Sequence, residues 1–206
     1  MVAEGNSKHR VIHDRLSEPR MARYVTEADG DHARALEIYS RQAKVSAALW
    51  LTIGHVEVVV RNAMHDQLSR HSAAWYDSLS VVLSETARDD IAETRKRLEK
   101  RRIDETPGQI VADLSFGFWR FLLSKHYDRS LWVPYLNAAF PNFKGGRGQL
   151  YSRMVSLNDA RNAIAHHQRV DSPRQVRTTA LEVAGYVCKD TGAWVQSECG
   201  VLAALG

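Results

Sequence analysis

Two cysteines, five prolines and twelve glycines are spread over 206 residues, and each scarcity removes a class of protein. Cys188 and Cys199 form no C-x-x-C pair and no extracellular spacing pattern, so neither a disulfide scaffold nor a structural zinc site is expected. So few prolines and glycines leave too few turn signals for a many-stranded sandwich, which needs one every ~8–12 residues. No stretch approaches ~20 uncharged apolar residues, and the first residues are charged (Glu4, Lys8, Arg10, Asp14, Arg15) rather than apolar, so neither a membrane span nor a secretion signal is expected. The chain reads as cytoplasmic. Hydrophobic residues at 44% and charged residues at 25% lie near the globular average, which argues against disorder and against a fibre. The length suits one compact domain.

The charge that is present is lopsided. The net charge is +4, and its basic side is carried by 21 arginines against 7 lysines. Guanidinium forks grip phosphates and carboxylates, which makes a nucleic acid a plausible partner class, although an arginine-rich codon bias produces the same count.

Residues 1 to 16 show no clear period and are expected as a loose leader, with residues 17 to 206 as a single all-α domain. Ser17-Glu18-Pro19 predicts a helix start running to about Ala28. Beyond Asp29-Gly30-Asp31, the positions Leu36, Tyr39, Ala43, Ser46, Trp50, Ile53, Val60 and Met64 recur at three, four and seven. This predicts one long helix to about Arg70. Further helices are predicted from the Ser84 cap to Arg102, from Thr106-Pro107 through Leu122, from about Ser130 to Ala139, from Gln149 to about His167, and a last one from Pro173.

Four features bear on chemistry. Glu57 sits on the apolar stripe of the long helix, where a carboxylate is expensive unless paired. Arg61 lies four residues on, so the two readings are a satisfied buried pair that fixes register, or a group that orients a functional side chain nearby. Arg61 to His65 is a short Arg-Asn-x-x-His run, with His65 read as an ordinary surface residue. Residues 95 to 102 pack six cations into eight positions. A solvated helix face is the plain reading, and Arg95, Arg97, Arg101 and Arg102 tracking an RNA backbone is the other. Phe116, Phe118, Trp119 and Phe121 read as core or dimer contacts before base-stacking groups.

The most informative segment runs from Leu157 to His167. Leu150, Met154, Leu157 and Ile164 form an apolar stripe into which Arg161 falls, while Asn158, Asn162 and His166 follow at i, i+4 and i+8. An inward arginine beside a titratable imidazole can stabilise charge on a phosphate and move a proton. The bare Arg-x-x-x-x-His spacing is expected about once by chance in such a composition, and a helix end whose His166 and His167 complement the dipole is the plain alternative. Context adds weight. Arg161-Asn162-Ala163-Ile164-Ala165-His166-His167 resembles the R-N-x-x-x-H signature of the HEPN superfamily, and residues 35–39, 56–63 and 110–119 resemble, in order, its Abi-like abortive-infection branch. The resemblance spans about residues 17 to 190. It implies a HEPN-type helical bundle with one long helix, a homodimer, and a metal-independent endoribonuclease in defence or as a toxin. No cofactor and no metal is implied. It also implies RNA as substrate, with an antitoxin or other regulator as a further partner class. Carried over, Arg161 and His166 take the catalytic positions, drawn from two protomers in one cleft, with Asn162 supporting; Asn158, His167, Glu57 and Arg61 are further supporting candidates. The rival expectation is a non-catalytic module of the same fold that binds RNA or a protein.

Overall fold

The computed structural model describes residues 2–78 and 82–206, with side chains from residue 8 onward. Among the described residues the chain is all-helical, without a strand, and one helix is far longer than the rest. The expected loose leader is instead a helix, α1 (Val2–Leu16). It packs on the long helix and buries His13, whose ring meets His32 edge-on at 4.9 Å. Its amphipathic signal is weak because charged residues interrupt every turn, so periodicity alone does not reveal it. Ser17 is the corner before α2 (Glu18–Glu27). It adopts φ 76° and makes no side-chain cap bond, so the expected cap is a bend.

α3 (His32–Ser69) is the spine, entered through Asp31, whose carboxylate accepts from the Ala33 and Arg34 backbone N–H groups. It buries Val45, Leu49, Ile53, Val56, Val60, Met64 and Leu68. This stripe is rotated from the expected one. Trp50 is 45% exposed and Glu57 only half-buried, so Tyr39, Ser46, Trp50, Glu57 and Arg61 share a flank of the helix rather than its core face. α3 is also long and apolar enough to cross a membrane by length and composition, a test that the core helix of a globular domain passes equally.

α4 (Glu85–Lys100) starts at the Ser84 cap as expected. The apolar run after Pro107 divides into α5 (Pro107–Asp113) and α6 (Phe116–Phe121), because the Ser115 hydroxyl caps a fresh helix by accepting from the Phe118 N–H at 3.1 Å. Phe116, Phe118 and Trp119 are core. The helix expected over Ser130 to Ala139 is broken into a wide π-type turn, Asp128–Trp132, and a tighter 3-10 turn, Leu136–Ala139. α7 (Arg147–Ala165) buries Leu150, Met154, Leu157 and Ala160. α8 (Pro173–Val187) is followed by two more helices that the sequence reading did not anticipate, α9 (Lys189–Glu198) and α10 (Val201–Leu205). Both fold back on α3 and α8. A main core joins α3 to α4 through α10, and a satellite of Met21, Tyr24, Ala28 and Ala35 pins α2 to the start of α3. His65 is not an ordinary surface residue. It is half-buried, its Nδ1 accepts from the Trp75 indole N–H at 3.1 Å, and burial holds its pKa below the usual range.

α8 and α9 cross with almost no space between backbones. A Cβ on Gly192 would lie 2.7 Å from the Gly185 Cα, whereas a Cβ on Gly185 would meet nothing within 4 Å. Gly192→Ala is therefore expected to cost about 1–3 kcal/mol through forced backbone shifts, read as a Tm several degrees lower. Gly185→Ala, in a helix interior with room for the methyl, should be neutral or gain up to ~1 kcal/mol. Equal responses of the two variants would contradict this crossing.

Candidate functional site

Arg161 follows Leu157 and Ala160 around α7, so the core packing of that helix aims it at the flank of α3. Its guanidinium carbon lies over the Trp50 ring, 5.2 Å from the ring centre, a cation–π placement. Its Nε is buried with no hydrogen-bond partner, and among the described residues no carboxylate lies within 4 Å to form an ion pair. Several other arginines differ. Arg95 bonds Asp77 and Glu105, Arg97 and Arg101 share Asp113, and Arg147 bonds Asp128 at 2.9 Å. Arg161 is held by packing, without a direct ion pair among the described residues.

Glu57 is the carboxylate that acts on it from farther off. Burial pushes the Glu57 carboxyl above its ordinary value, while Arg161, Arg61 and the Phe116 backbone N–H at the start of α6 pull it back without cancelling the rise. Of the two readings of Glu57, the satisfied buried pair with Arg61 is not formed: no Glu57–Arg61 ion pair lies within 4 Å among the described residues. Arg61 instead donates through Nη1 to the Ala112 carbonyl at 3.0 Å, which ties the end of α5 to α3. Asn158 is half-buried next to Gly117 of α6, its Oδ1 being 3.7 Å from where a Gly117 Cβ would stand. Asn162 is exposed.

His166 closes α7 as its C-cap and is exposed. No hydrogen bond, ion pair or ring contact joins it to Arg161 among the described residues. The physical reason is helical phase: five residues rotate a side chain by about 140° around the axis, so one faces α3 and the other faces out. The chain therefore brings together Arg161, Trp50, Glu57 and Arg61, and leaves His166 at the rim. No family model, curated protein or solved structure matches this chain. What the patch can do follows from its own chemistry.

The turn carrying the two histidines is held in place. His167 adopts φ 55°, an uncommon left-handed conformation for a histidine, and its carbonyl accepts from Arg20 Nη1 at 2.7 Å. Arg23 bonds Asp171 at 3.1 Å and Glu27 bonds Arg169. One face of α2 thus clamps the segment after α7. Nothing local in the sequence signals these contacts, because the partners lie 142 to 148 residues apart. Trp50 was legible only as an apolar position. Of the basic run, Arg95, Arg97 and Arg101 are engaged with carboxylates, and Arg102 is exposed with φ 55° and no side-chain partner among the described residues.

The raised Glu57 pKa has a stability consequence with a definite sign. An ionised carboxylate whose pKa rises on folding subtracts from stability at neutral pH, and the subtraction fades as pH falls through the raised pKa towards the ordinary 4.5. Glu57→Gln is expected to raise Tm at pH 7, with the gain shrinking as pH approaches 4.5. A lower Tm at pH 7 would mean that attraction to Arg161 and Arg61 outweighs the burial penalty.

Proposed function

We propose that this protein is a metal-independent endoribonuclease of the abortive-infection or toxin type, built on a HEPN-type bundle and acting in the cytoplasm as a homodimer. The observation that carries the reading is Arg161, a cation seated on Trp50 with a buried, unpartnered Nε and no ion pair. Cations on a folded surface are usually solvated or paired; one fixed by an aromatic face and left unneutralised is preorganised for an anion. In this reading a ribose 2′-OH attacks the adjacent phosphate. His166 takes the 2′-OH proton, Arg161 stabilises the crowded, negatively charged phosphorane, and the leaving 5′-oxygen takes a proton from water. Neither role calls for a metal. Asn162 and Asn158 flank the patch, and Glu57 tunes the field around Arg161.

A second reading rests on a specific observation. Within one chain Arg161 and His166 do not touch, so a protomer alone is not a complete site and fits a module that binds RNA or protein without cutting it. Purified protein incubated with total cellular RNA in excess chelator separates the two. Cleavage by the parent is expected, with losses on the order of 10²-fold or more for Arg161→Ala and for His166→Ala, and a smaller loss for Asn162→Ala. Intact RNA with the parent, or undiminished cleavage by folded His166→Ala, would sink the enzymatic reading and leave the binding module.

A further inference from the structure

A groove of about 550 Å³ opens between α2, the first half of α3 and the turn after α7, inside the ~300–1,000 Å³ range of ligand sites. Tyr39 and Trp50 line it from α3, and Tyr24 of α2 braces Tyr39 edge-to-face at 5.4 Å. Gln42, Ser46 and Gln168 also line it. None of these three side chains hydrogen-bonds within the chain among the described residues, so two amides and a hydroxyl offer donors and acceptors to an occupant. Arg169 lines it as well, half-buried, with Nη1 bound to Glu27 and Nε buried without a partner.

We infer that this groove is a nucleobase subsite, seating a base of the RNA strand next to the phosphate held by Arg161. The inference rests on the RNA reading of the Arg161 patch and adds to it a place where sequence is read. Aromatic faces and hydrogen-bonding groups in one groove match a flat heterocycle with a polar edge. An aliphatic occupant, or the apolar face of another helix, would leave the half-buried Gln42 amide facing hydrocarbon, which is costly. Continuity supports the same occupant. Trp50 belongs to both places, since it lines the groove and carries Arg161. Ser46, Trp50 and Glu57 succeed one another along one flank of α3, so a strand laid on that flank meets the groove and then the cation.

The test uses four 2′-O-methyl tetranucleotides, one for each base, which bind but cannot react through a 2′-OH. Affinity is read by anisotropy of a labelled oligonucleotide. Ser46→Trp, which fills the groove, should weaken the best-bound tetranucleotide on the order of tenfold, the scale of one lost base–aromatic stack. Gln42→Ala with Gln168→Ala should alter the ranking among the four bases, and it serves as the probe if Ser46→Trp does not fold. Unchanged affinity and ranking in these variants, judged folded by circular dichroism, would overturn the subsite. So would conversion of a dimer to monomers by Ser46→Trp in sedimentation, because the groove would then seat a second copy. A parent that binds through the groove yet leaves ordinary RNA uncut supports the subsite while removing the ribonuclease reading.

Discussion

The burial of one face of α3 is the constraint on which the other parts depend. Its 38 residues extend about 57 Å at 1.5 Å per residue, and α1, α2, α5, α6, α7, α8, α9 and α10 all pack on it. With Val45, Leu49, Val56, Val60 and Met64 turned into the core, helical geometry leaves no choice for the neighbouring flank. Tyr39, Ser46, Trp50, Glu57 and Arg61 must border the core without entering it. α7 packs its own stripe beside them, and Arg161 arrives over Trp50. The Arg161–Trp50 patch is a by-product of how two core stripes meet.

This position explains the electrostatics. A guanidinium over an indole gains attraction from the ring without losing its charge to a carboxylate, so Arg161 retains a field that an ion-paired arginine would not. Glu57 stands near enough to respond to Arg161, and burial raises its pKa despite that attraction. The clamp from Arg20, Arg23 and Glu27 fixes the turn after α7. It thereby fixes where His166 emerges, and the same α2 supplies the Tyr24 wall of the groove.

The helical class, the length of α3, the Ser84 and Thr106 starts and the α7 stripe were legible because each has a local cause: a cap, a proline or a period. Arg161 was legible for the same reason, as a charge on an apolar stripe. Other features had no local cause to read. α1 lacks a clean period, the run after Pro107 breaks at Ser115 only because its hydroxyl caps α6, and α9 and α10 hold through long-range packing. Trp50 shows the limit most clearly. Its spacing fits the core stripe, yet a helix of this length has apolar residues on more than one face, and only tertiary packing decides which face is buried. The basic run illustrates the reverse, since in a cluster that looked available in sequence Arg95, Arg97 and Arg101 are spent on Asp77, Glu105 and Asp113, and Lys96 on Glu93.

The central claim is that the site is assembled from two copies, with Arg161 turned inward on one face of α7 and His166 exposed at its end. The most direct measurement mixes two inactive single variants. Arg161→Ala protein and His166→Ala protein are unfolded together, refolded as mixed dimers, and assayed on RNA in chelator. The account predicts that the mixture regains a substantial part of parental cleavage while each variant alone stays inactive, since a mixed dimer still offers one arginine and one histidine to the shared cleft. A mixture that forms mixed dimers and remains as inactive as its components would contradict it.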